Sequence, residues 1–279
     1  MTALAKEISS RLALARSGAI SAGKLTLKYF QHDNFSVERK SDASPVTIAD
    51  RSAEQHLRER IAAAFPHDGV IGEEMGQASG DSGFNWIVDP IDGTKAFISG
   101  VPLYGTMVGV EREGRCVAGV VYIPALHEGV YASTGQGTWH FKDELHETQV
   151  HVSKKPRLAD GLFVTSQVDT FAARGAMEAY AKLEKAAYIT RTWGDCYGYL
   201  LVATGRAELM VDPIANLWDL AAIQPIIEEA GGTFTDWQGN RTISAGEAIA
   251  TNGLVQEEVL AIVRQYPPPK KTGASTDGE

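Results

Sequence analysis

Trp86-Ile87-Val88-Asp89-Pro90-Ile91-Asp92-Gly93-Thr94 runs an apolar segment into two carboxylates that only Pro90 and Ile91 separate. A short apolar run bounded by turn formers reads as a buried strand, and paired acids at its end call for a cation beside them. Gly93 leaves its amide open to close approach, and Thr94 follows with a hydroxyl. That combination suits a phosphate oxygen, or a positioned water, next to a metal. Asp, Pro and Gly also build ordinary turns, so a plain strand-end turn is the competing reading of this segment alone.

On either side of this segment the residues from 69 to 133 form short β-branched runs: Val70-Ile71, 106–110, 117–122 and Val130-Tyr131. Glu113-Gly114 between two of them predicts an antiparallel hairpin. Upstream, Leu4, Ile8 and Leu12, then Ala53, Leu57 and Ile61, recur every four residues, which predicts two amphipathic helices joined by a polar connection containing Pro45. Downstream, strands over 162–165 and 207–211 alternate with helices over 171–183, 197–203 and 220–230. Gly231-Gly232 supplies a left-handed stop before a strand at Thr233-Phe234-Thr235. A last helix covers 255–265, and the tail 267–279 has little to bury and reads as disordered. This order predicts a layered α/β fold. It divides into an N-terminal α+β subdomain, 1–150, with most of the candidate ligands, and a C-terminal α/β subdomain, 151–266, that completes the site.

With 279 residues, 44% of them hydrophobic, the chain can bury a sizeable core as one domain or two closely packed ones. A formal net charge of -9 with no long Lys/Arg run argues against nucleic acid or an anionic membrane as partner. An anionic substrate then needs local positive charge, and divalent cations are the natural source. Cys116 and Cys196 make neither a disulfide framework nor a zinc ligand set, so the expected setting is the cytoplasm. Lys6, Glu7, Arg11 and Arg16 interrupt the N-terminal apolar residues, leaving no run of the ~20 residues that span a bilayer.

Further acids join the first pair. Asp50 opens the second helix, Glu73 and Glu74 follow the Val70-Ile71 strand, and Asp219 opens the 220–230 helix. Each has a local explanation, as a helix cap or a solvated loop acid. Brought together, five or six carboxylates would repel one another unless cations neutralised them, and oxygen-only ligands select Mg²⁺ or Mn²⁺ over zinc.

Through Gly72-Glu73-Glu74, the 86–94 segment and Trp218-Asp219 leading to Gly231-Gly232, the chain resembles the inositol monophosphatase-like metal-dependent phosphatases from about residue 5 to 265. The resemblance implies a five-layered α/β/α/β/α fold and hydrolysis of a small phosphate monoester without a phosphoenzyme. It also implies two or three Mg²⁺ per site, with Mn²⁺ as a substitute, lithium sensitivity and a homodimer. By motif position Glu73, Asp89 and the Ile91 carbonyl would hold one magnesium, and Asp89, Asp92 and Asp219 a second. Thr94 and Asp50 would orient the attacking water, and the Gly93 and Thr94 amides would receive the phosphate. Lys40 stands near a lysine that family members carry, and Glu74 is a further candidate. Segments 95–106 and 191–199 resemble the histidinol-phosphate phosphatase branch. For an ester bearing an ammonium and an imidazole, Asp195 and Asp212 are candidate partners, with Arg191 and Trp193 as candidate wall. A helix cap at Asp195 and a surface ion pair at Arg191 are the competing readings. An inositol or broad sugar phosphatase and a non-catalytic metal-binding scaffold are the alternative functions. The seven histidines lie outside these motifs and are expected to be structural, as is Cys196.

Overall fold

A computed structural model describes residues 2–32, 37–39, 45–143 and 145–267. Lys40 and residues 268–279, nearly all of the predicted tail, lie outside them. Helix α1 (Ala3–Thr26) starts at Thr2, whose hydroxyl accepts from the Ala5 amide. Its buried stripe of small residues allows close packing, and a Cβ at Gly23 would lie 2.8 Å from the Tyr122 ring. A two-stranded ribbon, β1 (Val37–Arg39) and β2 (Pro45–Thr47), leads into α2 (Ile48–Ala64). There follow β3 (Gly69–Gly72), β4 (Gly76–Ala78), β5 (Phe84–Asp92), the short α3 (Thr94–Ile98), β6 (Gly105–Arg112), β7 (Arg115–Ile123), β8 (Glu128–Ser133), β9 (Thr138–Lys142) and β10 (His146–Val150). Strands β3 to β10 form one sheet in the order β10-β9-β8-β7-β6-β5-β3-β4. All neighbours are antiparallel except β3 and β5. The predicted hairpin joins β6 to β7, with Glu113 and Gly114 both left-handed (φ 51° and 80°), as a two-residue turn between twisted strands requires.

The second half contributes β11 (Leu162–Thr165), α4 (Asp169–Ala173), α5 (Met177–Ala186), β12 (Ile189–Arg191), α6 (Cys196–Ala203), β13 (Leu209–Asp212), α7 (Leu217–Leu220), α8 (Ile223–Glu229), β14 (Thr233–Thr235), β15 (Ala248–Thr251) and α9 (Gln256–Val263). Its sheet runs β12-β11-β13-β15-β14, with β12, β11 and β13 parallel. Three apolar cores stack the layers. Ala19 and Leu57 of the first two helices meet Trp86, Val108 and Val120 of the large sheet. Tyr199, Leu200, Ile223 and Ile226 fill the space between the sheets against Val121 and Met210. Leu183, Val259 and Val263 cover the outer face of the small sheet at Phe163 and Leu209. The result is the α/β/α/β/α arrangement. Among the described residues no helix is long and apolar enough to cross a membrane.

Two predicted helices are interrupted. The 171–183 helix divides into α4 and α5 around Gly175, which takes φ 76°, and such a residue ends a helical turn. The 220–230 helix divides into α7 and α8, because Pro225 has no amide to return to the Ala221 carbonyl four residues earlier. Strands β1, β2, β4, β9, β10, β12 and β15 add to those read from the sequence. Most are short or polar, so their periodicity is weak.

Candidate active site

Strand β5 delivers the first two acids through an irregularity. Residues three apart in a regular strand face opposite sides, but the register with β6 shifts between Asp89 and Asp92. Pro90 donates nothing to the ladder, and its carbonyl accepts the Thr106 hydroxyl at 2.8 Å. The Ile91 amide turns back onto Asp89 Oδ1 at 3.0 Å. Both carboxylates thereby meet Asp219, and one oxygen from each of the three lies within 4.8 Å of the others.

Asp219 and Asp50 are cap acids as well. Each stands third in its helix and closes a capping box, Asp219 with Asn216 and Asp50 with Thr47. The cap occupies one oxygen of each. Asp219 Oδ2 accepts the Asn216 amide at 2.6 Å, and Asp50 Oδ2 accepts the Thr47 amide at 2.8 Å and hydroxyl at 2.5 Å. Asp50 Oδ1 is buried without a hydrogen-bond partner among the described residues. The local explanation and the convergence are therefore both present.

Burial, then the charges of Glu73, Asp92, Asp219 and Asp50, push Asp89 well above the usual carboxylate range. Asp92 rises through burial, Asp195 and Asp219, against the Cys196 amide that it accepts. Burial, opposed by the Asn216 amide and joined by Glu73, Asp212 and Asp195, takes Asp219 to about 8. Burial takes Asp50 to about 6, over the opposing Thr47 bonds. Carboxylates that resist ionising together, all offering oxygen, fit a hard divalent cation, and the orphaned buried Oδ1 of Asp50 adds an unused acceptor beside them. Glu73 directly follows β3, its amide on the Val88 carbonyl at 3.3 Å, and its charge reaches Asp89, Asp50 and Asp219. Glu74 is half-buried behind it, and its amide donates to Glu54 at 2.7 Å.

A cleft of two lobes opens beside this cluster. The larger, about 330 Å³, is lined by Glu73, Gly93, Thr94, Lys95 and Thr192, and the smaller, about 220 Å³, by Asp92, Tyr199, Asp212 and Asp219. Ser166, Gln167 and Asp195 border both. Gly93 is left-handed at φ 83°, and a Cβ there would lie 2.8 Å from Asp195 Oδ2, so any side chain at this position would be strained and crowded. The Thr94 hydroxyl donates to the Ile91 carbonyl at 3.0 Å. Among the described residues no hydrogen bond joins it to Asp50.

Asp195 stands at the N-cap just before α6, makes no side-chain capping bond, and takes an uncommon conformation (φ 49°, ψ -150°). Burial raises its pKa against Ser166 and Lys95. Asp212 ends β13 with both oxygens engaged, Oδ1 by the Ser166 hydroxyl at 2.6 Å and Oδ2 by the Tyr199 hydroxyl at 2.7 Å. Burial outweighs those bonds and takes it to about 7. Arg191 is not brought in. It lies exposed on edge strand β12, its guanidinium on the Thr190 carbonyl and 5.8 Å from the Trp193 ring, and it lines neither lobe. Its neighbour Thr192 lines the larger lobe. Among the described residues no histidine borders the cleft. The Cys196 thiol is buried and pushed well above its usual range by that burial and then by Asp92, which disfavours a thiolate there.

Sequence reasoning held Lys95, Thr192 and Tyr199 only within the segments 95–106 and 191–199, without singling them out, and missed Ser166 and Gln167. Lys95 is the only cation among the described lining residues of the two lobes, and its Nζ bonds Gln167 Oε1 across the cleft at 2.6 Å. For Ser166 a signal was available, since it directly follows the strand read at 162–165. Ser166, Thr192 and Asp212 stand at or just past the carboxyl ends of the parallel strands β11, β12 and β13, and Glu73 and Asp92 stand likewise on β3 and β5. Open α/β sheets place ligand groups at those ends.

Compared with known proteins, residues 7–267 match the profile of the Inositol monophosphatase family. A histidinol-phosphatase of Chlorobaculum parvum is 42% identical over 90% of this chain and 96% of its own length. A histidinol-phosphatase of Mycobacterium tuberculosis is 36% identical over 89% of this chain and 96% of its own. Among solved structures, an IMPase of Thermotoga maritima superposes with a TM-score of 0.81 at 28% identity, covering 92% of this chain and 98% of that one.

Proposed function

The chain belongs to the inositol monophosphatase family, and from that premise we propose that it is a Mg²⁺-dependent phosphate monoesterase whose preferred ester is L-histidinol phosphate. The observation that carries the reading is the meeting of Asp89, Asp92 and Asp219 within 4.8 Å beside the cleft that Gly93 and Thr94 line. The histidinol-phosphatases at 42% and 36% identity favour the ester.

In this reading Glu73, Asp89 and the Ile91 carbonyl would hold one ion, and Asp89, Asp92 and Asp219 a second; when bound, the ions would supply positive charge to offset the phosphate and to activate water. The Gly93 and Thr94 amides receive the phosphate, whose approach no side chain at residue 93 obstructs. The Thr94 hydroxyl orients the attacking water. Asp50, with a free Oδ1 and a pKa raised to about 6, is suited to accept its proton near neutral pH. Lys95 adds positive charge where the ester enters. Asp195 faces the cationic end of the alcohol. Asp212, held by Ser166 and Tyr199, shapes the smaller lobe. The same reading includes two or three Mg²⁺ per site with Mn²⁺ as a substitute, lithium inhibition, a cytoplasmic homodimer, no nucleic-acid or membrane partner, and subdomains 1–150 and 151–266 sharing the site.

Phosphate release from L-histidinol phosphate, inositol 1-phosphate, fructose 1,6-bisphosphate and adenosine 3′,5′-bisphosphate tests it. The expected result is a kcat/KM for histidinol phosphate at least about tenfold above the others, roughly 1.4 kcal/mol of discrimination. Equal turnover of the first two would refute the assigned ester, and no turnover of any ester with Mg²⁺ would refute the enzyme class.

A further inference from the structure

Helix α2 buries two acids in an otherwise apolar stripe, Asp50 and Glu54, one turn apart on the same face beside Ala49, Ala53, Leu57 and Ile61. Asp50 keeps one buried oxygen unpartnered among the described residues, and its charge reaches Asp89; Glu54, fully buried, serves another element. Its Oε2 accepts the Glu74 amide at 2.7 Å, and its Oε1 accepts the Met75 amide at 3.1 Å and Arg58 Nε at 2.8 Å. Arg58 continues to the Gly76 carbonyl, so the turn between β3 and β4 is held at residues 74, 75 and 76. The seat is tight. A Cβ at residue 72 would lie 2.1 Å from Glu54 Oε1, so only Gly72 lets the carboxylate reach these amides. Glu73 stands between Gly72 and the first clamped amide.

We infer that Glu54 is a positioning residue: through the Glu74 and Met75 amides it sets where Glu73 stands relative to Asp50 on its own helix, and so tunes the affinity for the divalent cation. A buried carboxylate shared by two amides and a guanidinium is a rigid link, because losing any partner leaves a desolvated group unpaired. The inference rests on the reading of Glu73 as a metal ligand.

Calorimetric titration of the chelated full-length protein with Mg²⁺ alone tests it, comparing wild type, Glu54→Gln, and Leu57→Ala, which disturbs the same helix through the core. In Glu54→Gln an NH₂ group faces an N–H donor. Mg²⁺ binding is expected to weaken about 10–100-fold, as when an outer partner of a ligand is lost, while Leu57→Ala stays within about twofold of wild type. Hydrogen exchange at the Glu74 and Met75 amides should accelerate in Glu54→Gln alone. Unchanged affinity in Glu54→Gln, or equal weakening in Leu57→Ala, overturns the positioning role while wild-type binding stands. No Mg²⁺ uptake by wild type overturns the metal-ligand reading and this inference with it. If Glu54→Gln does not fold, Arg58→Met removes the outer half of the clamp; weaker Mg²⁺ binding supports the role and unchanged binding overturns it.

Discussion

At the scale of single residues, charge placement dominates. Asp92→Asn removes one of three mutually close carboxylates and, by the assigned role, a ligand. Steady-state phosphate release at saturating Mg²⁺ should fall by more than about 100-fold, beyond what losing an outer partner costs; retained turnover would contradict the role. Lys95→Met removes the one lining cation among the described residues. KM for the ester should rise about tenfold, some 1.4 kcal/mol of binding, with kcat changing less; a fall confined to kcat would argue against an entry role. Asp50 was legible as a first-turn acid because capping is a local property. Its unpartnered Oδ1 was not, since that depends on what packs over it.

Among elements, caps and breaks do double duty. Thr47→Ala removes the α2 cap and the hydroxyl on Asp50, and should cost about 1 kcal/mol in urea unfolding. The lost bond had lowered the Asp50 pKa, so the acid limb of the kcat/KM profile should move to higher pH. An unmoved limb would mean that Asp50 is not the base. The break at Ala221-Ala222, where the missing Pro225 amide leaves the Ala221 carbonyl without its helical partner, sets α7, carrying Asp219, apart from α8, and periodicity alone cannot show it because both halves keep apolar residues at helical spacing. Gly119 lies beneath the same junction, where a Cβ would come within 2.0 Å of the Ala222 carbonyl. Gly119→Ala should destabilise by about 1–3 kcal/mol as overpacking, read as a lower urea midpoint.

For the whole molecule, stability and metal are linked through pH. Asp89, Asp92 and Asp219 have raised folded-state values, the last about 8, whereas an unfolded Asp ionises near ~3.9. Acids with raised folded values favour folding below their unfolded pKa, and that contribution is lost as pH climbs toward the folded value. Chelated protein should therefore melt lower at pH 8 than at pH 5.5, and Mg²⁺ should raise Tm more at pH 8. Equal increments at both pH values would argue against cation binding at this cluster. Asp68 works in the opposite sense. Burial raises it, but bonds from Arg11, Ser82 and Trp86 leave it below the usual range, so its contribution is present above about pH 4 and lost as pH falls through the depressed value.

By itself the sequence determined which strands and helices carry the acids, and that oxygen ligands at strand ends and helix starts call for a hard cation. Those properties arise from neighbours a few residues apart, through alternation, capping and turn chemistry. Only the tertiary structure decided that Asp89, Asp92 and Asp219 meet, that Arg191 stays outside, and that Lys95, Ser166, Gln167 and Glu54 stand where they do. Sheet order and layer packing settle which distant residues become neighbours, and no local pattern records them.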